Sequence, residues 1–231
     1  MRIWDINPGY LNRQSLLGEH RELHGIVSII KNNKKGYSRH PETLRWVGHG
    51  WALRQRHRLL VAEMQLRGYT DRSPVSLRAN ANTWPETFID PPADQLLILG
   101  RKYQYIEQGR IPLPQNTQQL WAQHKYSVMA RDIATYQDIG KRLACSRDKQ
   151  AMDALALELI TLLQEPPQQH LIHNALLHMW GYVSDYSAIA KHEVVELPAG
   201  QLLHTVQQLS VAHRVGYLLE STALSELGAW I

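Results

Sequence analysis

Apolar residues recur three or four positions apart along almost the whole chain, and that spacing leaves little room for anything but helices. From Arg13 to Lys31 they fall at Leu16, Leu23, Ile26, Val27 and Ile30, one stripe of an amphipathic helix. The same period predicts helices at about 51–67, 93–108, 117–129, 132–144, 149–163, 168–186 and 200–224. Gly68 ends the first of these, and the polar stretch Asp71 to Pro92 reads as loop. No segment alternates apolar and polar residues as a half-buried strand does, and no internal repeat is visible. The expected fold is all-α. Gly109-Arg110-Ile111-Pro112-Leu113-Pro114 cannot continue a helix, because each proline lacks an amide donor and clashes with the preceding turn. The boundary between two helical domains, 1–112 and 113–231, is placed there.

Charge separates the same two regions. Residues 1–80 hold 14 Lys/Arg against 6 Asp/Glu, whereas residues 81–231 hold 11 against 15. A concentrated positive field attracts polyanions and speeds their encounter, so the first region reads as a nucleic-acid face. The single cysteine, Cys145, excludes an intramolecular disulfide and fits a reducing compartment. No apolar run reaches the ~18 residues of a membrane span, and the N-terminus lacks a secretory core, so a cytoplasmic protein without membrane contact is expected.

The most informative pattern is Met1-Arg2-Ile3 followed by Glu19-His20-Arg21-Glu22-Leu23. Gly36-Tyr37, His40-Pro41, Leu44-Arg45-Trp46, Gly48-His49, Arg58-Leu59, Glu63 and Arg67-Gly68-Tyr69 continue it. In order and spacing these pieces resemble the pyrimidine dimer DNA glycosylases, the family of the phage endonuclease V, and most of all its bacterial branch. The resemblance implies a compact helical domain that extrudes a damaged base from double-stranded DNA. It also implies a nucleophile that is the chain's own α-amine. An α-amine is roughly a few hundredfold richer in its neutral form at pH 7 than a lysine, which favours Schiff-base formation at the sugar C1′. Ungapped alignment puts Met1 in that place, with Glu22 as the general acid/base partner, and no metal or cofactor is called for. Arg at position 2 is expected to leave the initiator methionine in place.

On the first helix, Glu19 falls inside the apolar arc, Glu22 at its edge and Arg21 on the opposite side. A carboxylate within an apolar face calls for a buried partner, and an arginine is expected for Glu19. The edge position of Glu22 suits a residue lining a cleft. Arg2, Arg21, Lys34, Lys35, Arg39 and Arg45 are the candidate DNA contacts. Two positions depart from the phage pattern: Ser15 stands where those enzymes carry a histidine, and Gly25 where they carry an arginine.

The second region contains Trp121-Ala122-Gln123-His124-Lys125-Tyr126 and, later, His178 with Trp180-Gly181-Tyr182. These resemble the YbgA-like domain, a bacterial helical domain that supplies no catalytic residues to transfer. His170, His173 and His178 lack a cysteine or carboxylate at ligand spacing and read as packed or surface histidines. The acidic balance points to a protein partner or to docking on the first domain rather than to DNA. Two other readings stay open: a nucleic-acid-binding module without chemistry, and an enzyme on a modified base or nucleotide centred on His124 and Lys125.

Overall fold

The computed structural model describes residues 1–77, 83–145 and 151–231. Among these there are twelve α-helices and no strand, so the fold is all-α. The expected start of a helix at 149 and the middle of the loop expected over 71–92 lie outside the described residues. The chain divides into two compact units, Met1–Gly109 and Arg110–Ile231.

The first unit carries α1 (Arg13–Asn32), α2 (Pro41–Trp46), α3 (Gly50–Leu66) and α4 (Pro92–Lys102). Asn12 caps α1 by accepting the Ser15 amide at 2.9 Å, a bond worth about 1 kcal/mol. Its own amide donates to the Tyr103 hydroxyl at 3.0 Å, tying the start of α1 to the end of α4. The apolar stripe of α1 is buried at Leu16, Leu23, Ile26 and Val27, with α2 and α3 packed against the helix. Pro41 opens α2 instead of breaking a helix, because an N1 proline gives up an amide that would have had no partner. The helix expected to run to 108 stops at Lys102, and the chain returns to Gly109. There a side-chain carbon would lie 2.4 Å from the Tyr10 backbone, so only glycine allows the approach.

The second unit contains α5 (Thr117–Met129), α6 (Ile133–Cys145), α7 (Ala151–Gln164), α8 (Gln169–Trp180), α9 (Lys191–Val194), α10 (Ala199–Ala212), α11 (Gly216–Leu219) and α12 (Ala223–Glu226). Helix α5 is its centre, packed on α6, α7 and α8, and α10 lies against α8. The helix expected over 168–186 ends at Trp180. The one expected over 200–224 ends at Ala212, where Arg214 takes a left-handed conformation (φ 51°) and turns the chain into α11. Arg131 then gathers the helix ends. It donates to the Ser127, Leu163 and Glu165 carbonyls and to Glu226 Oε1, at 2.7–2.9 Å.

Candidate active site

The first seven residues form no regular element, yet side chains hold four consecutive amides. The Arg2 amide donates to Glu22 Oε2 at 2.5 Å. The Ile3 amide bonds to Glu42. The Trp4 amide donates to Glu19 Oε1 at 3.2 Å and the Asp5 amide to Gln95 Oε1 at 2.8 Å. Glu19 and Glu22 stand one turn apart on α1, Glu42 lies on α2 and Gln95 on α4. Three bonds separate the Met1 and Arg2 nitrogens, so the Met1 amine lies within roughly 7 Å of Glu22 Oε2.

Glu19 has the arginine its burial demanded. Arg56, on α3, donates to both carboxylate oxygens at 2.7 and 2.9 Å and to the Ile6 carbonyl at 2.8 Å. Burial pushes the Glu19 carboxyl up, opposed by the Arg56 charge and hydrogen bonds and by the Trp4 amide. Burial likewise raises Glu42, against the pull of Arg45 and Trp46. Both carboxylates act as fixed acceptors for the tail.

Glu22 is half-buried and lines a cleft of about 810 Å³ together with Arg2, Arg13, Arg21, Ser15 and Lys102. Arg21 and Arg13 are exposed, whereas Arg2 pairs with Asp90 and lies 4.5 Å over the Trp4 ring. Lys102 reaches in from α4 and donates to Ser15 Oγ at 2.9 Å. A cation thus stands at the position where the phage pattern has a histidine. The other departure also has a physical reading. A side-chain carbon added at Gly25 would lie 4.0 Å from the Met1 sulfur, so the glycine leaves space that a longer residue would contest with the methionine.

The expected DNA contacts divide. Lys34, Lys35 and Arg39 are exposed on the loop between α1 and α2, where Tyr37 is 70% exposed and Lys34 donates to Ser28 Oγ at 2.8 Å. Arg45 belongs elsewhere. It is buried, paired with Asp5 and with Glu42 at 3.1 Å, and its guanidinium is turned to the interior. Its place one residue before the buried Trp46, on a short helix that periodicity missed, explains why sequence alone put it at the surface. Lys102 and Arg13 were the residues overlooked.

Residues 1–77 match the pyrimidine dimer DNA glycosylase family. The match includes Met1, Glu19, Glu22 and the basic loop, and ends before α4, so the matched segment does not contain Gln95 or Lys102. Residues 125–226 match a second family, described as a protein of unknown function (DUF1722), in agreement with the YbgA-like resemblance. Neither the curated proteins nor the solved structures hold a match to this chain. No helix among the described residues is long and apolar enough to cross a membrane.

In the DUF1722-matching unit, His124 points inward and donates from Nδ1 to the Leu120 carbonyl at 2.8 Å. Lys125 instead joins tyrosines: its Nζ lies 4.9 and 5.1 Å from the Tyr126 and Tyr217 ring centres, and Tyr217 stacks on Tyr182 at 4.7 Å. Burial works against the Lys125 charge, but hydrogen bonding to Tyr217 and the neighbouring phenols outweigh it and raise its pKa.

Proposed function

We infer that the N-terminal unit is a DNA N-glycosylase with associated abasic-site lyase activity, acting on damaged double-stranded DNA with UV-dimerised pyrimidines as the leading substrate. The observation that carries this reading is the Arg2 amide on Glu22, which keeps the preceding amine beside a carboxylate at the edge of a cationic cleft. The neutral Met1 amine forms a bond to C1′ as the bond from C1′ to the base breaks and the base departs with a proton. Opening of the sugar ring, with a proton passing to O4′, leaves an imine. Loss of a C2′ proton then expels the 3′-phosphate by β-elimination. Glu22 moves the O4′ and C2′ protons, and Arg21, Arg13, Arg2 and Lys102 face the phosphates around the lesion. Lys34, Lys35, Arg39 and Tyr37 grip the backbone further out.

Borohydride trapping on UV-irradiated and abasic duplexes tests the reading, using protein whose first residue is Met1. A covalent adduct is expected on the Met1 peptide, and Glu22→Gln should slow turnover by about 10²–10⁴-fold. DNA binding with no adduct on either substrate would leave the chemistry without support and favour a binding module.

A further inference from the structure

Helix α1 sends Glu22 to one face and His20 and His24 to the other, since two residues turn a helix by about 200°. On that opposite face His57, from α3, and Asp71, from the segment after α3, close around the two histidines. His20 Nε2 lies 3.2 Å from Asp71 Oδ1, His57 Nε2 lies 3.6 Å from Asp71 Oδ2, and His24 Nε2 lies 3.4 Å from His20 Nε2. One donor atom from each of the four residues lies within 4.8 Å of every other. The three imidazole rings form a triangle with centres 4.6, 5.0 and 5.2 Å apart.

We propose that His20, His24, His57 and Asp71 bind a divalent transition-metal ion of the zinc class, and that the ion clamps α1, α3 and the segment beyond α3 together. Four donors around zinc at 2.0–2.2 Å stand about 3.3–3.6 Å apart at the corners of a tetrahedron, close to the 3.2, 3.4 and 3.6 Å separations of these side chains, and the widest spacing, up to 4.8 Å, has to close as the ion binds. Three imidazoles and one carboxylate form a borderline donor set that suits zinc better than calcium or magnesium. His57 adds an independent sign: its Nε2 is buried and has no hydrogen-bond partner, at 3.6 Å from the nearest carboxylate oxygen. A buried nitrogen left unsatisfied in this way costs free energy, and a metal that took its lone pair would remove that cost. Asp71 is oriented from outside, its Oδ1 accepting the Ser73 amide at 3.0 Å, the outer-shell support that ligating carboxylates commonly have. The site's position away from Glu22 makes it a structural clamp, and the proposal stands whether or not the glycosylase reading does.

The test uses tag-free full-length protein stripped with a strong chelator and titrated with Co²⁺ and Zn²⁺. One equivalent of Co²⁺ should bind with the visible absorption of a four-coordinate site, Zn²⁺ should displace it, and Zn²⁺ should raise the Tm of the stripped protein. His24→Gln and Asp71→Asn, both at partly exposed positions, should each weaken binding by at least the roughly 100-fold that losing an outer-shell partner can cost. Glu22→Gln should bind as tightly as the native chain. Absence of Co²⁺ absorption together with a Tm indifferent to Zn²⁺ would overturn the proposal. So would undiminished binding in both ligand variants.

Discussion

The two units organise charge in opposite ways. The first spends arginines inside: Arg56 on Glu19, Arg45 on Asp5 and Glu42, and Arg67 on Glu63. Four of the six carboxylates in residues 1–80 are thereby engaged, and the exposed remainder, including Arg13, Arg21, Lys34, Lys35 and Arg39, stays cationic. The second unit packs apolar side chains such as Leu159, Ile172, Leu176, Met179 and Val206, with Arg131 and Glu226 as a buried pair at the helix ends. Buried ion pairs add little net stability over apolar packing, but they fix geometry, because an unpaired member is costly. The first unit needs fixed geometry, since an irregular tail has to be held beside Glu22. The second has helices to pack, and apolar surface does that.

The contrast breaks hardest at Glu19→Gln. The variant leaves the Arg56 guanidinium buried without its charge partner and weakens the acceptor of the Trp4 amide. Removing one member of such a pair costs about 3–5 kcal/mol. Amide hydrogen exchange followed by mass spectrometry should show that loss in peptides from α1 and α3 and none in α5. Schiff-base trapping should fall with it, because the tail is no longer held. Equal loss of protection in both units would mean that they unfold as one and would remove the contrast.

Much of this first unit could be read from the chain alone, and the residues show where reading stopped. The stripe on α1 predicted its buried face, and Glu19 within that stripe predicted an arginine partner by charge alone. Which arginine it was, Arg56, depends on how α3 crosses α1, and local spacing carries no record of that. The tail's acceptors come from three helices, so no motif contains them. Helix α2 is six residues long, too short to show a periodic stripe, and it opens on Pro41, whose helical role depends on its position. His20 and His24 have the spacing of neighbours on one helix face, and spacing alone does not rank them above His170, His173 and His178. Those three do not gather into a ligand group among the described residues; His57 and Asp71, far along the chain, complete the one that exists.

A second measurement sharpens the contrast from the side of the C-terminal unit. His124 is fully buried, and burial lowers its pKa from 6.5 to about 4, opposed by the Leu120 carbonyl and the Glu226 charge. As pH falls through 6.5 the unfolded imidazole takes up a proton that the folded one refuses until about 4. The unfolded state therefore binds more protons in that window, and stability declines with falling pH by about 3 kcal/mol in all. Exchange protection in α5 should follow this decline, and His124→Gln should flatten it. A native slope unchanged in the variant would show that His124 is not the group responsible.

The smallest effect separates the outer cations from the inner ones. Neutralising Lys34, Lys35 and Arg39 should cost little stability, because all three are exposed. If they meet phosphates, each releases condensed counterions, and the slope of log K against log salt should become shallower by about 2–3 for the triple variant. Arg45→Met should do the reverse. It removes as formal a charge, but one already matched by Asp5 and Glu42 in the interior, so the salt slope should stay while exchange protection in α2 falls. Fluorescence anisotropy on a lesion-free duplex across a salt series measures the slope without requiring turnover. A shallower slope in Arg45→Met, with none in the loop variant, would move the DNA surface away from the α1–α2 loop and towards the face that α2 covers.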